Sequence, residues 1–595
     1  MDPTVSDYLL ERLHAWGVRR IYGYPGDGIN GLIGAFDRMG ERMRFIQARH
    51  EELAAFMACA HAKFTGEVGV CLATSGPGAI HLLNGLYDAR ADHQPVVAIV
   101  GQQKRMAIGG DYQQEVDLIS LFKDVAHEFV HMATTAEQVR HLIDRAMRIA
   151  RDRRAVTCVI VPNDVQDLPA AEPPREHGAV PSGIGRTVIG EVPAEVDLAE
   201  AAHLLNRGER VAMLVGAGAL GATDEVIAVA DKLGAGVAKA LLGKAAVPDD
   251  LPFVTGSIGV LGTKASWDLM NECDTLLMVG SAFPYSEFLP PEGQARGVQI
   301  DIDARMIGLR YPMELGLVGD ARETLRALLP LLEHKPAAAW RERVAGWVER
   351  WWRVVDSRAM NPADPINPQR VFRELSPRLP DNAIIACDTG TVTDWYARDL
   401  RLRRGMMASV SGGLSSMGSA LPYALAAKFA HPDRPVIALV GDGAMQMNGI
   451  SSLITVARHW REWSDPRLPV LVLNNGDLNE VTWEQRTLGG DRRFADSQEL
   501  PDFPYAAYGR LLGLGGLRVE RPEDIAAGWD LALSADRPTV VEVLTDPKVP
   551  PMPPHVTLKQ AVSYARALRG DPDARALIIA SLRETWDSLF PGSKS

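Results

Sequence analysis

Val436-Ile-Ala-Leu-Val-Gly-Asp-Gly-Ala444 is the stretch that decides the fold of this 595-residue chain. Five apolar residues end abruptly at an aspartate flanked by glycines. A run this short, apolar on both faces, suits a buried strand of a parallel sheet. Further on, Val470-Leu-Val-Leu473 runs in the same way into Asn474-Asn475. The turn after the first strand offers backbone N–H groups on which a diphosphate can sit. The Asp442 carboxylate can hold a magnesium ion bridging its oxygens, and an amide oxygen at the end of a neighbouring strand completes a site of hard oxygen ligands. Gly-Asp-Gly alone is also a common turn; the pair of strand ends is the more specific signal.

The pattern recurs along the chain. Val96–Val100 before Gly101, Val211–Val215 before Gly216 and Leu276–Val279 before Gly280 are further apolar runs that stop at glycine. Helical segments lie between them, among them the alanine-rich Glu51–Phe64. The alternation predicts an α/β protein of doubly wound parallel-sheet domains, and ~150 residues per domain gives three or four units. Leu168–Pro193, rich in Pro, Glu and Gly, and His334–Ala338, before a Trp-rich helix around Trp340–Trp352, read as linkers. The expected domains are residues 1–175, 190–335 and 355–547, followed by a tail at 548–595 with an extended Pro550–Pro554 connector and one terminal helix from about Thr557 to Leu589.

Composition excludes several classes. The net charge is -12 and no basic stripe suits a nucleic acid backbone; Arg401, Arg403 and Arg404 read as a solvated loop face. Five scattered cysteines without a C-x-x-C pair argue against zinc or a disulfide framework and for a reducing compartment. With no secretory signal and no apolar stretch of the ~18 residues needed to span a bilayer, a cytoplasmic protein is expected.

Gly441-Asp442-Gly443-Ala444 followed by Asn474-Asn475 resembles the signature of the thiamine diphosphate (ThDP) enzymes. The resemblance implies that Asp442, Asn475 and the backbone carbonyl of Asp477 bind Mg2+, beside the diphosphate on Gly441, Gly443 and Ala444. In Arg49-His50-Glu51-Glu52 a carboxylate opens a helix. On its own it merely complements the helix dipole. The resemblance gives Glu51 the task of driving the cofactor's aminopyrimidine to its reactive tautomer, with Glu52 competing by adjacency. Pro25 and Gly26 in Gly23–Gly28, Ser75 and Gly76 in Thr74–Gly78, Asn84 in Asn84–Ala89, and Thr389-Gly390 fit the cofactor pocket of the same family. Gly412-Gly413-Leu414-Ser415-Ser416-Met417 is similar to the stretch that bends the cofactor, with Met417 as the wedge and Gly412 and Leu414 beside it.

The resemblance covers nearly the whole chain and is nearest to the quinone-linked bacterial pyruvate oxidases, within the pyruvate oxidase and acetolactate synthase group. Its domains bind pyrimidine, FAD (a transhydrogenase-like fold) and diphosphate, in that order, before a helical tail. Gly216, Gly218, Lys244, Phe283 and Asp301 lie in segments similar to the FAD domain, although some relatives keep that domain without flavin. The implied reaction is decarboxylation of a 2-oxo acid, with the product oxidised through FAD and its electrons passed to a quinone or another acceptor. The alternatives are an acetolactate synthase-type carboligase with structural or no flavin, and a cofactor-binding homologue without activity. Gln114, Val481 and Glu484 match positions lining the substrate pocket. The chain departs from the family at Gln113, where an aromatic ring is usual, and at Asn479-Glu480, where Gly and an apolar residue are usual. Both changes make the pocket more polar and leave room for a substrate larger or more hydroxylated than pyruvate. The family further implies a homo-oligomer, dimer or tetramer, with active sites between subunits. Arg566, Arg569, Asp571, Asp573 and Arg575 interrupt the tail where quinone-linked relatives carry a membrane-seeking peptide, which argues against a peripheral membrane contact and leaves one open only through the later helix.

Overall fold

The computed structural model describes residues 2–185, 191–335 and 339–592; parts of both expected linkers, 186–190 and 336–338, lie outside the described residues. Among the described residues, eighteen strands form three six-stranded sheets. The first contains β1 (Arg20–Gly23), β2 (Arg44–Gln47), β3 (Gly69–Ala73), β4 (Val96–Gln102), β5 (Val130–Met132) and β6 (Val156–Pro162), in the order β2-β1-β3-β4-β6-β5. The second contains β7 (Val211–Val215), β8 (Gly236–Lys239), β9 (Val254–Ser257), β10 (Thr275–Val279), β11 (Arg296–Asp301) and β12 (Leu315–Val318), in the order β12-β11-β10-β7-β8-β9. The third contains β13 (Ile384–Cys387), β14 (Met407–Val410), β15 (Val436–Gly441), β16 (Pro469–Asn474), β17 (Gly515–Val519) and β18 (Thr539–Leu544), in the order β14-β13-β15-β16-β18-β17. Strands pair in parallel in each sheet.

The apolar runs read in the sequence are the central strands, and both of their faces are covered. In β7, Met213 and Val215 enter one hydrophobic core while Ala212 and Leu214 enter another. Strict alternation across a sheet with helices on both sides produces this pattern, and it explains why the run shows no polar face.

Each sheet reverses its strand order near its centre, between β1 and β3, between β7 and β10, and between β13 and β15, and the first and third reverse again at their β6-β5 and β18-β17 edges. In open α/β sheets, ligands bind beyond the carboxyl ends of the strands at such a switch point. All three central switch points carry glycine loops. They are Gly23–Gly28 with Thr74–Gly78, Gly216–Gly218 with Gly280, and Asp388–Gly390 with Gly441–Gly443.

Contacts divide the chain into two compact units. One takes in Met1–Val188, Ser411–Val436 and Ala444–Pro466; the other takes in Ile189–Val410, Ile437–Gly443 and Arg467–Ser595. In the first, the buried Glu51–Thr65 helix packs on β3 and also against the equally alanine-rich Ala420–Ala430 helix. The second contains the middle and third sheets and the tail.

The tail departs from the single expected helix. It forms two, Leu558–Ala567 and Ala574–Leu589. Gly570 has φ +85 and Pro572 has no N–H to donate, so the chain breaks there. Buried ion pairs fix both pieces, Arg486 to Asp571 at 3.0 Å and Arg358 to Glu584 at 2.8 Å. Among the described residues no helix is long and apolar enough to cross a membrane.

Candidate active site

At the first switch point two loops interlock. The Gly28 N–H donates to Thr74 Oγ1 at 3.0 Å, and a Cβ on Gly26 would lie 2.5 Å from that of Thr74. Gly76, at φ +61, gives room to Gln114, whose Cβ lies 2.8 Å from where a Gly76 Cβ would be. Gln114 itself has φ +61, and its buried Oε1 has no hydrogen-bond partner. A non-glycine residue held there with an orphaned acceptor is the kind of local cost that collects at functional sites.

Glu51 opens the Glu51–Thr65 helix, capped by His50, whose Nδ1 accepts the Glu52 N–H at 3.2 Å. The Glu51 side chain is buried, and its Oε2 lies 3.0 Å from His81 Nδ1. His50 and His81 stack at 4.3 Å. Glu52 instead accepts from Asn84 Nδ2 at 2.5 Å, and Asn84 also donates to Ser416 Oγ at 2.9 Å. The two adjacent carboxylates therefore have different partners. His81 was not singled out in the sequence. It ends the short Pro77–His81 helix just beyond the Thr74–Gly78 loop, and only folding brings it to Glu51.

The loop carrying Gly412, Leu414 and Met417 is anchored by buried acids that sequence reasoning left without a role. Asp92 accepts the Gly412 N–H (3.0 Å), the Gly413 N–H (2.5 Å) and Lys63 Nζ (2.6 Å). Asp88 accepts the hydroxyls of Ser411 (2.6 Å) and Tyr423. Leu414 is exposed and Met417 half-buried.

At the third switch point β15 and β16 run side by side, Gly441 opposite Leu473, so Asp442 and Asn475 emerge together. The Asp442 carboxylate accepts N–H groups from Gly443 (2.9 Å), Asn475 (2.9 Å) and Gly476 (2.7 Å). The Asn475 side-chain oxygen accepts the Asp477 N–H at 3.0 Å. Asp477's carboxylate is engaged by Arg493 at 2.9 Å and Asn479 at 3.2 Å, which leaves its backbone carbonyl as the oxygen to offer a metal. Asp388 caps the neighbouring strand end, accepting the Thr389 N–H at 2.9 Å. Among the described residues no side-chain cation lies within ion-pair distance of Asp442. Burial pushes its carboxyl up to about 7, against the lowering by its three N–H donors. A Cβ on Gly390, Gly441 or Gly476 would meet nothing within 4 Å. A buried carboxylate without a counter-cation, an amide oxygen and open space above glycine backbone fit a hard divalent cation and the phosphates it bridges.

Both strand-end helices are irregular. Asp442–Ala444 passes into a π-helical turn at Met445–Gly449, and Asn479–Glu484 into another at Gln485–Gly489. Such turns are frequent at functional sites. Val481 and Glu484 are exposed on the second of these helices, and Glu480 is half-buried. Asp394, wholly buried, is paired with Arg398 at 2.6 Å. Burial, reinforced by the nearby Asp394 charge, drives Glu480 well above the ordinary carboxylate range; burial and Glu480 raise Glu484.

At the middle switch point the glycines are closely packed. A Cβ on Gly216 would lie 2.3 Å from the Gly280 carbonyl oxygen, one on Gly218 2.7 Å from Gly280 Cα, and one on Gly243 2.7 Å from Gly216. Lys244 is buried, its Nζ donating to the Ala397 carbonyl at 3.1 Å and lying 3.6 Å from Asp249. Phe283 is buried beside Gly259, and Asp301 accepts the Asp303 N–H at 3.0 Å.

The chain belongs to the thiamine pyrophosphate enzymes, matching the family's N-terminal TPP binding domain over residues 3–121, its central domain over 198–328 and its C-terminal TPP binding domain over 388–543. It is 35% identical to the thiamine pyrophosphate-containing protein YdaP of Bacillus subtilis, over 99% of both chains. It is 31% identical to the large subunit of acetolactate synthase isozyme 2 of Escherichia coli, over 92% of this chain and 97% of that one. Identity to the pyruvate oxidase of Lactiplantibacillus plantarum is also 31%, over 74% and 72%. It is thus a ThDP enzyme of the pyruvate oxidase and acetolactate synthase group.

Proposed function

We propose that this enzyme decarboxylates a 2-oxo acid, pyruvate or a more polar analogue, with ThDP and Mg2+, and oxidises the product through FAD. The observation that carries the ThDP and Mg2+ part is the buried Asp442 carboxylate, with no side-chain cation beside it among the described residues, next to Asn475 at an open switch point. In this reading Asp442, Asn475 and the Asp477 carbonyl hold the metal, while the N–H groups of Gly441, Gly443 and Ala444 receive the diphosphate. Glu51 holds the proton that its carboxyl shares with a pyrimidine nitrogen, and His81, 3.0 Å away, steadies that carboxyl. Pro25, Gly26, Ser75, Gly76, Asn84, Gly412, Leu414 and Met417 of the first unit, and Thr389 and Gly390 of the second, are the remaining cofactor contacts, joined between subunits of the homo-oligomer. Gln114, Val481 and Glu484 face substrate. Bound ThDP supplies a nucleophilic ring carbon and an electron sink for decarboxylation, and bound FAD an acceptor for two electrons. Gln113 and Glu480 favour a polar substrate. The reading includes the domain limits 1–175, 190–335, 355–547 and 548–595, and a homo-oligomer.

The support for oxidation is the likeness to a pyruvate oxidase. A carboligase of acetolactate synthase type is the second reading. It is favoured by the longer match to an acetolactate synthase and by the closed glycines at Gly216 and Gly218, which the protein's own backbone already requires. The absorption spectrum of the purified enzyme, followed by anaerobic addition of pyruvate, separates the two. A flavin spectrum that bleaches supports the oxidase. An unbleached or absent flavin with acetolactate formed supports the carboligase. No consumption of pyruvate or of hydroxylated 2-oxo acids by the ThDP- and Mg2+-loaded enzyme refutes both.

A further inference from the structure

A cavity of about 400 Å³ opens in the unit that holds the middle and third sheets, between the Ala339–Ala359 helix, the Pro368–Leu375 helix and the segment Asp399–Arg403. Its volume is that of a small-molecule site. Val355, Pro377 and Leu402 give it apolar walls, and Arg373, Arg401 and Arg403 line it. The three arginines are not equivalent. Arg373 is paired with Asp356 at 3.0 Å and lies 3.4 Å from Glu374. Arg403 is paired with Asp381 at 2.8 Å and donates to the carbonyls of Ser376 and Leu379. Arg401 has neither kind of partner: among the described residues its guanidinium forms no ion pair and no hydrogen bond. It lies over the Trp352 ring, 3.9 Å from the centroid. Burial holds its proton affinity below the ordinary value, and Asp356 and Asp249 offset this only in part.

A guanidinium stacked on an indole keeps its N–H groups in the plane of the stack, directed to its edges, which is the geometry that grips a planar or tetrahedral oxyanion with two parallel hydrogen bonds. Asp250, Asp356, Glu374 and Asp399 also line the cavity, and Arg373 and Arg403 are committed to acids and carbonyls, so among the described residues Arg401 is the one lining guanidinium whose donors are open to a ligand. We propose that this cavity binds a small molecule through a carboxylate or phosphate group held by Arg401, with the apolar walls receiving its body. The site is separate from the Asp442 switch point. The Thr391–Arg398 helix begins beside Gly390 and ends next to the cavity's Asp399.

The test is calorimetric titration of the ThDP- and Mg2+-loaded enzyme with inorganic phosphate and, separately, with succinate, at matched ionic strength. Saturable binding of at least one is expected, weakened about tenfold or more in Arg401→Gln and less in Arg401→Lys. A fluorescence change on titration that is lost in Trp352→Phe, while the heat signal persists, places the ligand at the stack. Binding of phosphate alone assigns a phosphate ligand, and binding of succinate alone a carboxylate. The proposal is overturned if neither probe saturates below about 10 mM, a ΔG near -3 kcal/mol, or if Arg401→Gln binds as the parent does. Should Arg401→Gln fail to fold, Arg401→Lys, which keeps the charge and loses the fork, carries the comparison.

Discussion

The switch points of the middle and third sheets have the same topology and opposite interiors. Both end their central strands in glycine. In the middle sheet Gly216, Gly218, Gly243 and Gly280 press backbone against backbone, so the missing side chains are consumed by the protein's own packing. In the third sheet Gly390, Gly441 and Gly476 face open space, next to a carboxylate whose burial no side-chain cation among the described residues relieves. Glycine at a strand end is thus evidence of a ligand only when the space it vacates is left empty.

Asp442→Ala attacks the open switch point and carries the largest effect. Magnesium-dependent ThDP binding and turnover should fall by roughly a thousandfold or more, read by cofactor titration and steady-state kinetics; cofactor affinity equal to the parent's would break the assignment. Glu51→Gln should lower turnover by about 10²–10⁴-fold with little change in ThDP affinity, since it removes proton handling and leaves the metal site intact. The contrast between the two glycine sets is sharpest in a matched pair. Gly216→Ala should cost about 1–3 kcal/mol of stability by overpacking, seen as a lower melting temperature. Gly441→Ala should melt as the parent does and lose cofactor affinity, and the reverse pattern would refute the contrast. The smallest effect is a pH slope. Glu480 is raised above its ordinary 4.5, so below that pH it is protonated folded or unfolded and costs nothing. As pH rises past 4.5 the unfolded chain releases the proton first, and stability declines until the folded group also ionises. Glu480→Gln should remove that decline, gaining on the order of 1 kcal/mol relative to the parent by pH 7 in thermal melts.

The sheets were legible because burial on both faces leaves an unbroken apolar run. Val211–Val215 is β7 residue for residue, and Val436–Val440 stops one residue short of the β15 end. The positions of Asp442 and Asn475 followed from the same rule, since they are simply what comes after a strand. Side-chain partners were not legible. Nothing local to Asp92 announces that it holds the Gly412-Gly413 backbone, nor to Asp394 that it lies against Glu480, because both contacts join segments far apart in the chain. The single tail helix was misread because Gly570 and Pro572 were weighed less than the apolar residues around them. Arg401, taken as part of a solvated face, is half-buried on an aromatic ring.

The two π-helical turns, Met445–Gly449 and Gln485–Gly489, give the chain a sensitivity to counting. A π turn accommodates one residue more than an α turn. Met447 and Leu488 lie exposed within them, so replacing either should cost little. Removing either would let the turn close into regular helix with the segments on its two sides roughly in phase, because the wide turn already takes up the extra residue, and the widened backbone beside the strand end would be lost. At these two places the message is written in the number of letters: an exchange at Met447 or Leu488 should leave the widened turn standing, and a deletion should abolish it.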